Sequence, residues 1–346
     1  MQGGTRCLVT GAGGLLGSHI AERLVESGER VTALVRSSHG DPFLKSLGVE
    51  IVRGDLTDPA TCARSVRGMD AVYHSAAKVG DWGPWREFQA GCIDATRNLA
   101  EASASAGVGR FLHISSTSAY GHPAERGIPI TEEDPLGRGI WVWDPYTRSK
   151  VECEKILWGL AETRGLSVTV LRPSWLYGER DRTTVARLVS RLRAGSVPLI
   201  GRGDNPLSAI YAGNVADAAL LAVRDPSSAG EAYNISNQGR ISQAEFLNLF
   251  AEAAGAPPVT RRVPYALAYA TAFVLEAHGR STRRERPPLI SRYATWLMGR
   301  NLEYSTAKAE ARLGWTPALD YRESIERSVR WYLDAQDDSS RRLVSS

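Results

Sequence analysis

The stretch Arg6-Cys7-Leu8-Val9-Thr10-Gly11-Ala12-Gly13-Gly14-Leu15-Leu16-Gly17 runs from a short apolar segment through a glycine-rich turn into an amphipathic one. Strand, turn and helix in that order begin a βαβ unit. Gly11 permits the tight turn, Gly14 lets the backbone approach a pyrophosphate, and Gly17 lets the helix pack closely on the strand. The diphosphate then meets the positive helix end. Read as Gly-x-Gly-x-x-Gly from Gly11, the third position falls on Leu16; the pattern satisfied is Gly-x-x-Gly-x-x-Gly at 11, 14 and 17. A structural glycine turn looks the same in isolation, but the strand-turn-helix context favours a dinucleotide site that includes Leu15 and Leu16.

The same rhythm continues outward. Apolar runs at residues 6–9, 30–35, 50–52, 71–74, 111–114 and 167–171 alternate with amphipathic stretches at 18–26, 60–66, 87–104 and 146–162. These runs read as near-continuous Val, Ile and Leu, as strands covered on both faces do. The pattern predicts an α/β fold, a Rossmann-like doubly wound parallel sheet with a smaller, mostly helical C-terminal substrate region. Residues 1–178 are expected to form the dinucleotide-binding domain, with 207–236 returning to it. Residues 179–206 and 237–335 would bind substrate, and 336–346 would be a flexible tail. Residues 172–178 read as a loop, and helices are predicted at 184–194, 214–223, 242–254, 265–277, 288–298, 305–313 and 321–335, with a strand at 232–236.

The chain has 346 residues, 43% hydrophobic, with 42 basic and 38 acidic side chains spread along it. This argues for a mixed-charge surface and against nucleic acid, since the most basic stretch, residues 280–286, has no interleaved aromatics. Four scattered cysteines (Cys7, Cys62, Cys92, Cys153) with no histidine cluster predict free thiols and no metal. The amino terminus lacks the pattern of a signal peptide, and the longest apolar stretch, residues 265–275, is about half the roughly 20 residues that cross a bilayer. A cytoplasmic enzyme with no transmembrane segment is expected. The apolar helix at 265–275 reads as core, a lid or a weak contact with a membrane surface.

The second strand ends Leu34-Val35-Arg36-Ser37-Ser38 with no carboxylate. An acidic residue there would accept from a ribose 2′-hydroxyl, whereas an arginine meets a 2′-phosphate. NADP(H) is therefore favoured over NAD(H), the alternative being that Arg36 simply caps the sheet edge. Asp55 and Leu56 are placed to flank the adenine. Tyr146 and Lys150, in Asp144-Pro145-Tyr146-Thr147-Arg148-Ser149-Lys150, lie four apart and share a helix face. The ammonium can then favour the ionised phenol, making a proton donor or acceptor of a group whose ordinary pKa is roughly 10. With a dinucleotide to supply hydride, the combination points to carbonyl and alcohol redox chemistry. Trp82, Trp85, Trp141 and Trp143 fall in two loops that adjoin this centre and could wall an apolar cleft or belong to the core.

Taken in order, Thr10-Gly-x-x-Gly-x-x-Gly17, Gly54-Asp55-Leu56, His74-Ser75-Ala76-Ala77, Ser115-Ser116, Tyr146-x-x-x-Lys150 and Arg172-Pro173 resemble the extended short-chain dehydrogenase/reductase family, also called the NAD-dependent epimerase/dehydratase family. The resemblance runs from about residue 5 to 333. Further motifs, among them Tyr233-Asn234-Ile235-Ser236-Asn237, are similar to its 3β-hydroxysteroid dehydrogenase-like branch, with bacterial 2-alkyl-3-oxoalkanoate reductases of olefin biosynthesis the nearest subgroup.

The resemblance implies that Tyr146 exchanges a proton with the carbonyl oxygen, Ser116 hydrogen-bonds that oxygen, and Lys150 lowers the phenol pKa and holds the nicotinamide ribose. Thr117 is a fallback for Ser116 and a candidate substrate contact with Trp82, Trp85 and Trp143. Ala76, Ala77 and Lys78 would line the cofactor, and Pro173 and Trp175 would sit by the nicotinamide. It also implies a homodimer. Cys92-Ile93-Asp94-Ala95-Thr96 departs from the family's Asn-Val-x-Gly-Thr; Cys92 reads as packing.

The expected activity is NADP(H)-dependent interconversion of a ketone and a secondary alcohol on a hydrophobic 3-oxo or 3-hydroxy substrate, of 2-alkyl-3-oxoalkanoate or 3-ketosteroid type. The alternatives are a nucleotide-sugar epimerase or dehydratase with tightly bound NAD, and a cofactor-sensing binding protein without turnover. Arg180, Arg182, Arg187, Arg191 and Arg193 bear on the choice, because some could meet an anionic head group.

Overall fold

The computed structural model describes residues 4–125, 127–236 and 239–344. Six strands, β1 (Arg6–Thr10), β2 (Arg30–Val35), β3 (Glu50–Arg53), β4 (Ala71–His74), β5 (Arg110–Ile114) and β6 (Val168–Pro173), are joined by the strand Glu231–Ile235. Their order is Glu231–Ile235, β6, β5, β4, β1, β2, β3, and every neighbouring pair is parallel. The order reverses between β1 and β4, so their carboxyl ends part at a topological switch point, where open α/β sheets bind ligands. Thr10 pairs with His74 and with Leu34, which brings the glycine turn, the loop after β4 and Arg36 to one edge.

Both faces are covered. Cys7, Val9, Ala33, Tyr73 and Leu112 face the helices Leu15–Glu26 and Ala212–Arg224. Leu8, Leu34, Val72, Phe111 and Val168 face the helices Ala95–Ser105 and Pro145–Arg164. Adjacent strand residues point to opposite faces, so a sheet dry on both sides requires the unbroken apolar runs seen in the sequence.

Three departures from the predicted elements have physical causes. Residues 172–178 are not a loop: β6 continues to Pro173, and Trp175–Tyr177 forms a short strand that pairs with Ala209–Tyr211 and leads the chain into its second region. The segment 87–104 is broken into a short helix at Trp85–Phe88, a π-helical turn at Gln89–Asp94 and the helix Ala95–Ser105. The last helix, Tyr321–Val344, continues through most of the stretch expected as a tail.

Helices Thr184–Arg193, Gln243–Ala253 and Tyr321–Val344 share a second core around Tyr177, Phe246, Phe250, Ile325 and Val329. Helices Tyr265–Ser281 and Arg292–Gly299 pack on each other, and the latter's Tyr293 and Trp296 meet Trp141 and Tyr304 beside Tyr120. Among the described residues no helix is long and apolar enough to cross a membrane.

Candidate active site

The glycine turn is built for backbone approach. Gly11 is left-handed (φ 66°), and a Cβ on it would lie 2.8 Å from the Ala76 amide nitrogen. A Cβ on Gly17 would lie 2.2 Å from the Gly11 carbonyl oxygen. Gly14 is the N-cap of Leu15–Glu26 and offers no side chain to the first-turn amides, which an anion can therefore receive. Thr10 Oγ1 accepts the Ala76 amide at 3.2 Å and lies 2.8 Å from His74 Nδ1, tying the turn to the loop after β4. A cradle of bare backbone at an uncapped helix end fits a dinucleotide diphosphate.

Arg36 leaves the end of β2 with its side chain 79% exposed, and its nearest carboxylate, Asp55, is 3.9 Å away. Arg53, the neighbouring cation, is occupied by Asp41 and by the Ser37 carbonyl at 2.6 Å. Asp55 is held below the usual carboxylate range chiefly by the Thr57 amide, with a smaller pull from Arg36. Leu56 is buried, and its carbonyl accepts from Asn98 at 3.0 Å. Lys78 pairs with Glu87 at 2.7 Å, and Ala77 packs on the cluster of Phe88, Cys92, Ile93 and Cys153.

Asp144 starts the helix Pro145–Arg164 by accepting the Thr147 amide at 3.0 Å and its hydroxyl at 2.6 Å, with Pro145 in the first turn. Tyr146 follows, half-buried against Phe88, Cys92 and Cys153. One turn on, buried Lys150 lies 5.7 Å from the centre of the Tyr146 ring and donates to the Ile114 carbonyl at 2.9 Å. Burial, the largest influence, pulls the Lys150 ammonium down, but the opposing charges, Tyr146 first, raise it above its ordinary value.

The three hydroxyls after β5 have different surroundings. Ser115 is buried and donates to Glu154. Thr117 is buried and engages the Tyr304 hydroxyl. Ser116 alone is partly exposed, its Oγ accepting the Ser118 amide at 3.1 Å with its own proton available. Lys150 thus reaches the carboxyl end of β5 at Ile114, two residues before Ser116.

Behind them lies a network that the sequence reading missed. Glu154, fully buried, receives Arg172 Nε at 3.1 Å and Nη2 at 2.7 Å. Arg172 Nη1 donates to the Tyr120 hydroxyl at 2.9 Å, which donates to Asn234 at 2.7 Å. The available signal was Glu154 itself, four residues after Lys150 on an otherwise packed face. The His74 and His113 rings lie 5.3 Å apart, tilted by 35°, near the Lys150 charge, and burial pushes the His74 imidazole down to about 3 and His113 well down.

The aromatic residues divide. Trp82 donates its indole proton to the Arg284 carbonyl at 3.0 Å, and Trp143 lies under the Arg292 guanidinium, 3.7 Å from its ring centre. Trp85 packs on the same Phe88–Cys92–Cys153 cluster as Tyr146, with Arg148 4.4 Å from its ring centre, and Trp141 stacks on His122 at 3.7 Å. Trp175, expected by the nicotinamide, instead sends its ring to Phe246 in the second core, because its short strand turns the chain away there. Pro173 ends β6 in the buried sheet. Tyr293 and Tyr304, which the sequence did not single out, line the same side; burial raises Tyr293 well above the usual phenol range, with Asp144 and Tyr146 adding to the effect. Of the arginines that could meet an anion, Arg180 is tied to Ser18 and Glu22, Arg193 to the Ala254 carbonyl, and Arg191 to the Ser196 carbonyl.

Cys92 is buried with its Sγ 3.5 Å from the Lys78 carbonyl, a packing position, and all four cysteines are free. Asn237, part of one motif, lies outside the described residues.

Residues 7–236 match the NAD dependent epimerase/dehydratase family. Among curated relatives, the chain is 30% identical to a 2-alkyl-3-oxoalkanoate reductase of Shewanella oneidensis, covering 93% of this chain and 85% of that protein. It is 32% identical to a 2-alkyl-3-oxoalkanoate reductase of Stenotrophomonas maltophilia, covering 93% and 98%. The crystal structure of gox2253 superposes with a TM-score of 0.79 at 26% identity, covering 96% of this chain and 98% of that one.

Proposed function

The chain belongs to the NAD dependent epimerase/dehydratase family, extended short-chain dehydrogenases/reductases acting on CH–OH groups, and on that premise we propose an NADP(H)-dependent ketoreductase for apolar 3-oxo compounds. The observation that supports this reading best is Lys150 beside the Tyr146 ring with its ammonium on the Ile114 carbonyl, two residues before Ser116, at the carboxyl end of the sheet that holds the glycine cradle. When bound, the reduced nicotinamide supplies a hydride to the carbonyl carbon. Tyr146 gives its phenolic proton to the carbonyl oxygen, so a ketone becomes a secondary alcohol with charge balanced. Ser116 donates a hydrogen bond to that oxygen as negative charge develops on it. Lys150, buried and cationic, stabilises the phenolate left behind and holds the nicotinamide ribose.

Arg36 favours a 2′-phosphate: at the end of β2 it is largely exposed and shares only a long ion pair of 3.9 Å with Asp55, while Arg53 is spent on Asp41. The engagement of Arg180, Arg191 and Arg193 by the protein itself favours an apolar ketone over a nucleotide sugar, whose diphosphate needs cations. The names of the two reductase relatives agree with a 2-alkyl-3-oxoalkanoate-type substrate. Oxidation of NADPH is to be followed across β-keto acids, 3-ketosteroids and nucleotide sugars. Turnover is expected with the apolar ketones and a fall of at least about 10²-fold in Tyr146→Phe. Turnover confined to nucleotide sugars, or a fully active Tyr146→Phe, overturns the reading.

A further inference from the structure

The helix Tyr265–Ser281 has two unlike faces. Ala268, Ala272, Glu276 and Gly279 are buried toward the protein. Glu276 holds Arg292 at 2.6 Å over Trp143, Tyr269 meets Trp141 edge-on at 6.3 Å, and Arg280 donates to the Trp143 carbonyl at 3.2 Å. This face is the outer cover of the tryptophan wall beside the reacting centre. The opposite face is apolar and turned to solvent: Leu267 is 59% exposed and Val274 63%, with Ala266, Ala270 and Ala277 exposed beside them, and at its edge Phe273 is 52% exposed with its ring centre 5.0 Å from Arg292. Leu289, just beyond, is 68% exposed.

The ends of this face are cationic. Arg261 and Arg262 are exposed before the helix, and Arg283, Arg284 and Arg286 after it, with one exposed carboxylate, Glu285, among them; the run keeps a net positive charge, and these three arginines make no ion pair among the described residues. An apolar stripe along a helix, framed by arginines and too short to span a bilayer, is the pattern of a helix that lies in the plane of an anionic lipid surface.

We propose that the helix Tyr265–Ser281 docks the protein on anionic phospholipid, with Leu267, Phe273 and Val274 among the acyl chains and the flanking arginines on the headgroups. The cleft cover then rests on the bilayer, and a ketone dissolved in lipid reaches Tyr146 without crossing bulk water. The proposal rests on the reading of the substrate as apolar.

The test is flotation of the full chain with vesicles of phosphatidylcholine, with and without phosphatidylglycerol, beside reduction of a short, water-soluble 3-oxo ester. The wild type floats with the anionic vesicles and is released by salt. Leu267→Glu/Val274→Glu lowers partitioning at least about tenfold, since two buried apolar side chains are lost from the interface. Arg283→Gln/Arg286→Gln, which leaves the apolar face untouched, lowers it on anionic vesicles only. Both variants reduce the soluble ester as the wild type does. A wild type that floats with neither vesicle overturns the proposal, as do variants that bind as well as the wild type. So does a wild-type oligomer in sedimentation that Leu267→Glu/Val274→Glu dissociates, which would show a second copy on this face. Failure to reduce any ketone would instead defeat the ketoreductase reading and leave the flotation result standing.

Discussion

Replacing Glu154 by alanine removes a carboxylate that is fully buried between two elements of the reacting centre. Its oxygens receive Nε and Nη2 of Arg172 and the hydroxyl of Ser115. Without them the Arg172 guanidinium stays buried with the Tyr120 oxygen as its one remaining hydrogen-bond partner among the described residues. Breaking a buried ion pair by removing one member costs about 3–5 kcal/mol, and the orphaned Ser115 hydroxyl adds about 1 kcal/mol. A loss of roughly 4–6 kcal/mol is a large part of the 5–15 kcal/mol that holds a domain folded. Glu154→Ala/Arg172→Met removes both charges and fills the space with an apolar chain, while Tyr120 keeps its bond to Asn234. Buried pairs replaced in this way often come out nearly neutral, so the double variant is expected within about 2 kcal/mol of wild type. Urea unfolding followed by tryptophan fluorescence gives both values. A single variant within 1 kcal/mol of wild type, or a double variant as unstable as the sum of the two singles, would refute the claim that the pair is a coupled buried unit.

Arg36→Glu is expected to raise KM for NADPH at least about tenfold while changing that for NADH little, because only the 2′-phosphate is lost as a partner; equal effects on both would place Arg36 away from that phosphate. Ser116→Ala should lower kcat about 10²-fold with KM little changed, whereas Ser115→Ala should act on stability by about 1 kcal/mol through Glu154; the reverse assignment would exchange the roles of the two serines. Burial depresses His19, His74 and His113, His74 to about 3, so the unfolded chain binds up to three more protons than the folded one once pH drops below the ordinary histidine value. Stability is therefore fully present above roughly pH 6.5 and is lost as pH falls toward the folded values, at up to about 4 kcal/mol per pH unit. Urea midpoints between pH 7 and pH 5, where most carboxylates stay ionised, should fall steeply, and a flat profile would mean that these imidazoles are not buried neutral.

Local pattern carried most of this fold into view. The strand ends and the glycine turn could be read because a sheet dry on both faces imposes apolar runs, and a turn against Ala76 excludes a Cβ at Gly11. Tyr146 and Lys150 could be read because a spacing of four on a helix is a contact in itself. What stayed hidden depends on partners far along the chain. The strand Trp175–Tyr177 looks like a loop until Ala209–Tyr211 is beside it. Glu154 looks like an ordinary helical glutamate until Arg172 arrives from β6. The tryptophans show the same limit: their place in two loops puts them near the centre, but only geometry separates Trp143, stacked on Arg292, from Trp85, which packs on the cluster that also holds Tyr146.

The helix Pro145–Arg164 also explains why the proposed catalytic residues depend on a group placed behind them. Positions four apart on a helix advance about 40° around its axis, so Tyr146, Lys150 and Glu154 wind from the cleft inward. Their burial follows that path: Tyr146 is half-buried, Lys150 is 3% exposed and Glu154 is fully enclosed. At the inner end Glu154 grips Arg172 of β6 and, through Ser115, the end of β5. Ser116 is the next residue after that grip, and Tyr146 lies two turns above it on the same helix. One anchor therefore bears on the positions of both Tyr146, the proposed proton donor, and Ser116, the hydroxyl proposed to steady the oxygen. A displacement of about 1 Å at a reacting group can cost about 10²-fold in rate, so variants that loosen Glu154 lower kcat as well as stability even where the protein remains folded.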